Sequence, residues 1–287
     1  MDQRVIDLYN TYIHGSMPRR DFLQRLTGIV GSAAAATALL PLIECNYAEA
    51  QQVKPDHADL ETAYASYAGT RGKVRAYVAR PRKADGPLPG VLVIHENRGL
   101  NAHIEDVARR AALAGYLAVA PDGLSVAGGA PADQEKARDL FAATDRAVID
   151  ADVVAGVSYF AERKDCSGKL GVVGFCYGGG MALQCAVERP EIAAAVAFYG
   201  SAPAADKIAG IKAALGMHYA GKDERINAGI ADFRAALDQH GIAYSLNMYP
   251  GTQHGFHNDS SAARYDVAAA KLAWARTVAF FDHYLKV

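Results

Sequence analysis

The 287-residue chain has no excess of charge of either sign: 30 basic residues stand against 31 acidic ones, leaving a formal net charge of −1. Nothing in that balance attracts nucleic acid or an anionic membrane, and small neutral substrates remain open. Its four cysteines, Cys45, Cys166, Cys176 and Cys185, form no C-x-x-C pair and no Cys/His spacing of the structural zinc kind. Neither a metal centre nor a disulfide framework is expected, because a chain of this size builds its core without staples. Internal repeats are missing, and so is any second domain boundary. The apolar stretch near the N-terminus, GIVGSAAAATALLPLI at 28–43, carries two glycines and a proline. At 16 residues it falls short of the roughly 20 that span a bilayer.

The first fifty residues differ in character from the rest. MPRRDFLQRL (17–26) sets the paired arginines Arg19 and Arg20 before Phe22 and Leu23, the weakly apolar run follows, and Ala48-Glu49-Ala50 makes an A-x-A site. The pattern is similar to a twin-arginine export signal over residues 1–50. It implies the twin-arginine machinery as a partner, a periplasmic location, no lasting membrane association once the signal is removed, and a working domain over 51–287 with three cysteines.

In that domain Glu61–Tyr67 and Val74–Val78 read as two strands around Gly69–Gly72, an antiparallel hairpin. From Pro87 the pattern changes to continuous apolar strands at 91–96, 117–122, 171–175, 193–199, 213–219 and 244–249. Helical spacing covers 104–116, 133–164, 177–187 and the stretch carrying Ile230, Phe233 and Leu237, and the chain closes on a helix over 262–285. Such alternation calls for one α/β domain: a mostly parallel sheet covered by helices on both faces.

In such sheets functional side chains collect at the carboxyl ends of the strands, where Glu96, Asp122, Cys176, Asp223 and His254 stand. Cys176 sits in GFCYGGG, a G-x-C-x-G elbow between a strand and a helix, where the helix N-terminus favours a thiolate or an oxyanion. A thiol nucleophile needs a base, and the base a carboxylate that orients it. Asp223 and His254 follow Cys176 in the nucleophile, acid, histidine order of α/β-hydrolases. A buried structural thiol is the plainer alternative for Cys176 taken alone, and a thiol redox or peroxide-responsive protein is the alternative function. Cys166 and Cys185 lack an elbow and read as structural.

Together HENRGLN (95–101), PDGL (121–124), GFCYGGG (174–180), GKDERI (221–226) and the His254 loop resemble the dienelactone hydrolases. The resemblance implies an α/β-hydrolase fold and a Cys176–His254–Asp223 triad that cleaves an ester or lactone, as carboxymethylenebutenolidases do, without metal or cofactor. It makes Glu96 the group that holds the resting thiol, and the backbone N–H groups of Tyr177 and Asn97 the oxyanion hole. Arg98, Tyr199, Phe256 and His257 are expected around the substrate. Four residues after the catalytic histidine the family has a substrate-binding arginine; here that position is Asn258, and Arg98 is the candidate replacement.

Overall fold

The computed structural model describes residues 1–15, 17–46 and 51–286. Among them, eight strands form one sheet in the order β1-β2-β4-β3-β5-β6-β7-β8. β1 (Leu60–Ala68) and β2 (Lys73–Pro81) are the expected hairpin, paired antiparallel from Leu60↔Pro81 to Ala68↔Lys73. β2 meets β4 (Leu117–Pro121) antiparallel, and everything beyond is parallel: β3 (Leu88–Ile94), β5 (Cys166–Phe175), β6 (Ile192–Phe198), β7 (Ala214–Ala220) and β8 (Tyr244–Tyr249). All carboxyl ends of the parallel strands therefore share one edge, and the catalytic candidates meet there. The central strands are buried on both faces, which is why they read as unbroken apolar runs.

Helices α1 (Gln3–His14), α2 (Arg19–Val30) and α3 (Ala33–Ile43) come first in the chain. Then α4 (Ala102–Leu113) and α10 (Val267–Leu285) cover one face of the sheet, packing Ile104, Val107 and Phe281 against Val91, Val93 and Phe175. The other face carries α5 (Gln134–Ala143), α6 (Arg146–Tyr159), α7 (Tyr177–Glu188) and α9 (Ile230–Gln239), with the single-turn α8 (Glu224–Asn227) before the last. Two boundaries differ from expectation. The helical region 133–164 is broken at Thr144–Asp145, because the Asp145 carboxylate accepts from the Ala147 amide and starts α6 anew. The closing helix starts at Val267 rather than 262, where Asp266 accepts from the Ala269 amide; residues 256–266 are instead a tightly bonded loop.

The N-terminal segment is folded onto the domain. Tyr9, Tyr12, Phe22, Leu26 and Ile43 form an apolar cluster of their own, with the rings of Tyr12 and Phe22 stacked at 4.4 Å. α1 lies across the carboxyl ends of the strands: the Asn97 side chain donates to the Ile13 carbonyl (2.7 Å), Arg98 donates to the Tyr9 hydroxyl (3.4 Å), and Gln3 bonds Gln253. α2 and α3 meet at a 110° bend, and no single described helix is long and apolar enough to cross a membrane. Arg19 pairs with Glu44 and Glu135, while Arg20 is exposed. The Ala48-Glu49-Ala50 site lies outside the described residues.

Candidate active site

Cys176 links β5 to α7 in a backbone conformation (φ 55°, ψ −113°) that L-residues rarely adopt. The flanking glycines make this turn possible. A Cβ on Gly174 would stand 1.8 Å from the Gly178 carbonyl oxygen, and one on Gly178 would stand 2.4 Å from the Ile94 carbonyl oxygen. No side chain fits at either point, so strand and helix can cross this closely only as glycine. The amides of Gly179 and Gly180 bond back to the Cys176 carbonyl at 3.0 and 3.2 Å, so the half-buried thiol sits at the head of α7.

The loop after β8 brings His254 to the same edge, and the loop after β7 brings Asp223. His254 Nδ1 is 2.5 Å from Asp223 Oδ2, and both residues are buried. A carboxylate only accepts, so Nδ1 carries the proton and Nε2 is left for the thiol. Burial disfavours the charged imidazole, but the Cys176 charge and the Asp223 hydrogen bond outweigh it and hold His254 up at about 9. Burial likewise opposes ionisation of Asp223, and the bond from His254 overcomes it, leaving its carboxyl below the usual range. Further along the same loop, Asp259 ties it to α4: it accepts from His103 Nδ1 (2.8 Å) and from Arg110 (2.7 Å), which also pairs with Asp106.

The remaining candidates separate. Glu96 is buried; its Oε2 accepts from Asn258 Nδ2 at 2.6 Å and its Oε1 from the Tyr199 hydroxyl at 3.5 Å. Asn258 thus holds Glu96 where the resemblance led to a substrate-binding arginine. Tyr199, Tyr177 and Asn97 border the cavity beside Cys176. Phe256 and His257, expected around substrate, are fully buried instead: Phe256 packs on Tyr199 and Tyr249, and His257 stacks on Phe175 at 4.9 Å. Arg98, buried beneath α1 and bonded to Tyr9, does not border that cavity.

One further neighbour of the thiol lies in the segment expected to be an export signal. His14, the last residue of α1, places Nε2 3.3 Å from Cys176 Sγ, and its ring meets that of His254 edge-on at 4.5 Å. Burial, reinforced by the positive charges of His254 and Arg225, drives the pKa of His14 well below its ordinary value. The sequence carries a signal that this segment packs as a helix, chiefly on α2 and α3, though none for His14 itself. Val5, Ile6, Tyr9, Tyr12 and Ile13 recur at helical spacing and are all buried, a stripe that must be covered by something. His14 borders two cavities, of about 970 and 760 Å³. Cys176 opens onto the larger, along with Arg138, Arg146, Lys207 and Arg225, whereas Asp223 and His254 border the smaller.

Comparison with known proteins gives the same identification. Residues 74–285 match the model of the dienelactone hydrolase family, and residues 1–31 match one described as YqhI-like. The chain is 50% identical over 107 residues to the Escherichia coli K12 protein named "Putative hydrolase fragment YghX", covering 37% of this chain and 92% of that one. It is 31% identical over 245 residues to the "Putative carboxymethylenebutenolidase" of the same organism, covering 80% of this chain and 89% of the relative. Among solved structures, a "Putative Dienelactone Hydrolase" from Klebsiella pneumoniae superposes with a TM-score of 0.70 at 31% identity, covering 78% of this chain and 99% of that one. With the elbow, the strand order and the ends of β5, β7 and β8 all in agreement, the protein is a hydrolase of the α/β fold and belongs to the dienelactone hydrolase family.

Proposed function

We propose that the protein hydrolyses a carboxylic ester or lactone by acyl transfer through Cys176. The observation that carries this reading is the thiol held at positive φ at the head of α7, with the 2.5 Å Asp223–His254 pair beside it. In the proposed course Cys176 gives its proton to His254, the sulfur attacks the carbonyl carbon, and the amides of Tyr177 and Asn97 receive the oxyanion. The C–O bond to the alcohol then breaks as His254 donates its proton to the leaving oxygen. A thioester remains. Water, its proton taken by His254, adds to the thioester carbonyl, and the acid leaves as sulfur recovers the proton. Five cationic residues, Arg19, Arg138, Arg146, Lys207 and Arg225, outnumber the acidic Asp139, Asp150 and Glu188 around the larger cavity, a balance that favours an acyl or alcohol portion carrying a carboxylate.

The test compares Cys176→Ala with Cys185→Ala on p-nitrophenyl acetate and a panel of lactones. Cys185 is fully buried in α7, with its thiol pushed up to about 12 by that burial, so it offers no nucleophile. Hydrolysis should disappear in the first variant and persist in the second. Equal activity in both would overturn the reading. Peroxide consumption by a wild type without esterase activity would favour a redox thiol instead.

A further inference from the structure

We infer that His14, Cys176 and His254 together form a site for one divalent transition-metal ion of the zinc class, completed by the docking of α1 on the catalytic domain. One ring nitrogen of each histidine and the Cys176 sulfur all lie within 4.8 Å of one another, and the His14 Nε2–Sγ separation is 3.3 Å. Ligands held about 2.0–2.3 Å from a tetrahedral ion stand roughly 3.3–3.8 Å apart. Shifts on the order of 1 Å bring the three donors to that geometry.

The surroundings of both rings fit ligation. His14 Nδ1 is engaged by the Asn10 carbonyl at 2.8 Å, and His254 Nδ1 by the Asp223 carboxylate at 2.5 Å. Neither oxygen can donate, so both Nδ1 atoms carry a hydrogen and both Nε2 atoms face the sulfur; on binding, the ion displaces the second proton of His254 and the thiol proton, as metals do at protonated ligands. Carbonyl and carboxylate partners on the far nitrogen are the usual outer support of histidine ligands. His254 Nε2 is buried and makes no hydrogen bond of normal geometry.

Two imidazoles and a thiolate suit zinc or cobalt and exclude calcium and magnesium, which take oxygen donors. The larger cavity, onto which Cys176 opens, leaves room for a fourth ligand such as water. No local cysteine and histidine spacing announces this site, because His14 lies 162 residues from Cys176 in the chain. The ion takes the lone pairs that the proposed acyl transfer needs, so binding it would switch hydrolysis off. That consequence rests on the acyl-transfer reading; the site itself does not.

The experiment uses the full-length protein, stripped by chelator and titrated with Co²⁺ in the absence of substrate. One equivalent should produce a thiolate-to-cobalt charge-transfer band and the intense visible bands of a tetrahedral ion, both erased by Zn²⁺. X-ray absorption of the zinc form should show one sulfur at about 2.3 Å and two nitrogens at about 2.0–2.1 Å. Cys176→Ala should lose the charge-transfer band, His14→Gln should weaken binding by on the order of 100-fold, and Cys166→Ser should bind as wild type does. Absence of the charge-transfer band in wild type, or an unchanged affinity in a folded His14→Gln protein, would overturn the inference. Ester hydrolysis by the stripped protein is read separately, so the metal site and the hydrolase reading fail independently.

Discussion

Replacing Asp223 by asparagine isolates the charge that, in the proposed mechanism, orients and supports His254. The Asp223→Asn change keeps the size of the side chain, and the amide oxygen can still cap α8, where Asp223 accepts from the Ile226 amide at 3.4 Å. The fold should therefore survive. What goes is the carboxylate facing His254 Nδ1. His254 is raised from its ordinary 6.5 to about 9, a preference for the protonated ring worth about 3 kcal/mol at about 1.4 kcal/mol per pH unit. The Cys176 charge and Asp223 share that work against burial, so neutralising one should forfeit roughly half of it. An amide that turns its NH₂ toward Nδ1 also selects the wrong tautomer. We expect kcat/KM for p-nitrophenyl acetate to fall by about 10²–10³, equivalent to about 3–4 kcal/mol of transition-state stabilisation. The pH profile should change as well. In wild type, measured with chelator present, the alkaline limb should lie near 9, where the imidazolium loses the proton it gives to the leaving alcohol. In Asp223→Asn it should move toward neutral pH. Activity within threefold of wild type, with the alkaline limb unmoved, would refute the assigned role of the carboxylate.

Two further outcomes test the scaffold around the site. Gly178→Ala sets a methyl 2.4 Å from the Ile94 carbonyl oxygen and should cost about 3 kcal/mol or more in urea unfolding, whereas Gly180→Ala, whose nearest such contact is 3.5 Å, should be nearly neutral; equal effects would show that the elbow does not need its glycines. Asp259→Asn should lower stability at pH 7 by about 3 kcal/mol, because it leaves the buried Arg110 without one of its two carboxylates. Burial opposes ionisation of Asp259, but its bonds from His103 and Arg110 prevail and hold its carboxyl well below the usual range. A depressed carboxyl stabilises the fold above its unfolded value, about 3.9, and that contribution fades as pH falls below it. The stability gap between wild type and variant should therefore narrow from about pH 5 toward pH 2; a constant gap would contradict the ion pair's part in it.

How far the chain could be read without coordinates differs by region, for physical reasons. Strands buried on both faces must be continuously apolar, so β3 to β7 were legible as short runs, and alternation with helices made the sheet parallel. G-x-C-x-G was legible because close crossing of strand and helix leaves room for no side chain, and Asp223 and His254 followed because strand ends gather at one edge. The break at Asp145 was missed because a capping carboxylate inside a helical pattern looks like one more exposed polar residue. Phe256 and His257 were misjudged as substrate neighbours because adjacency to His254 in the chain says nothing of which way each side chain turns; both turn into the core.

Local pattern alone was enough for the α/β fold and the glycine-flanked turn at Cys176, since each is dictated by steric limits or by strand periodicity within a few residues. Tertiary structure alone decided which groups surround the thiol. His14 stands 162 residues away in sequence and 3.3 Å away in space, carried there because α1, packed by its apolar stripe on α2 and α3, is tied across the strand ends by its bonds to Asn97, Arg98 and Gln253. Asn258, set where the resemblance led to an arginine, reaches Glu96 rather than substrate. Contacts of that kind depend on long-range packing, which no short stretch of sequence encodes.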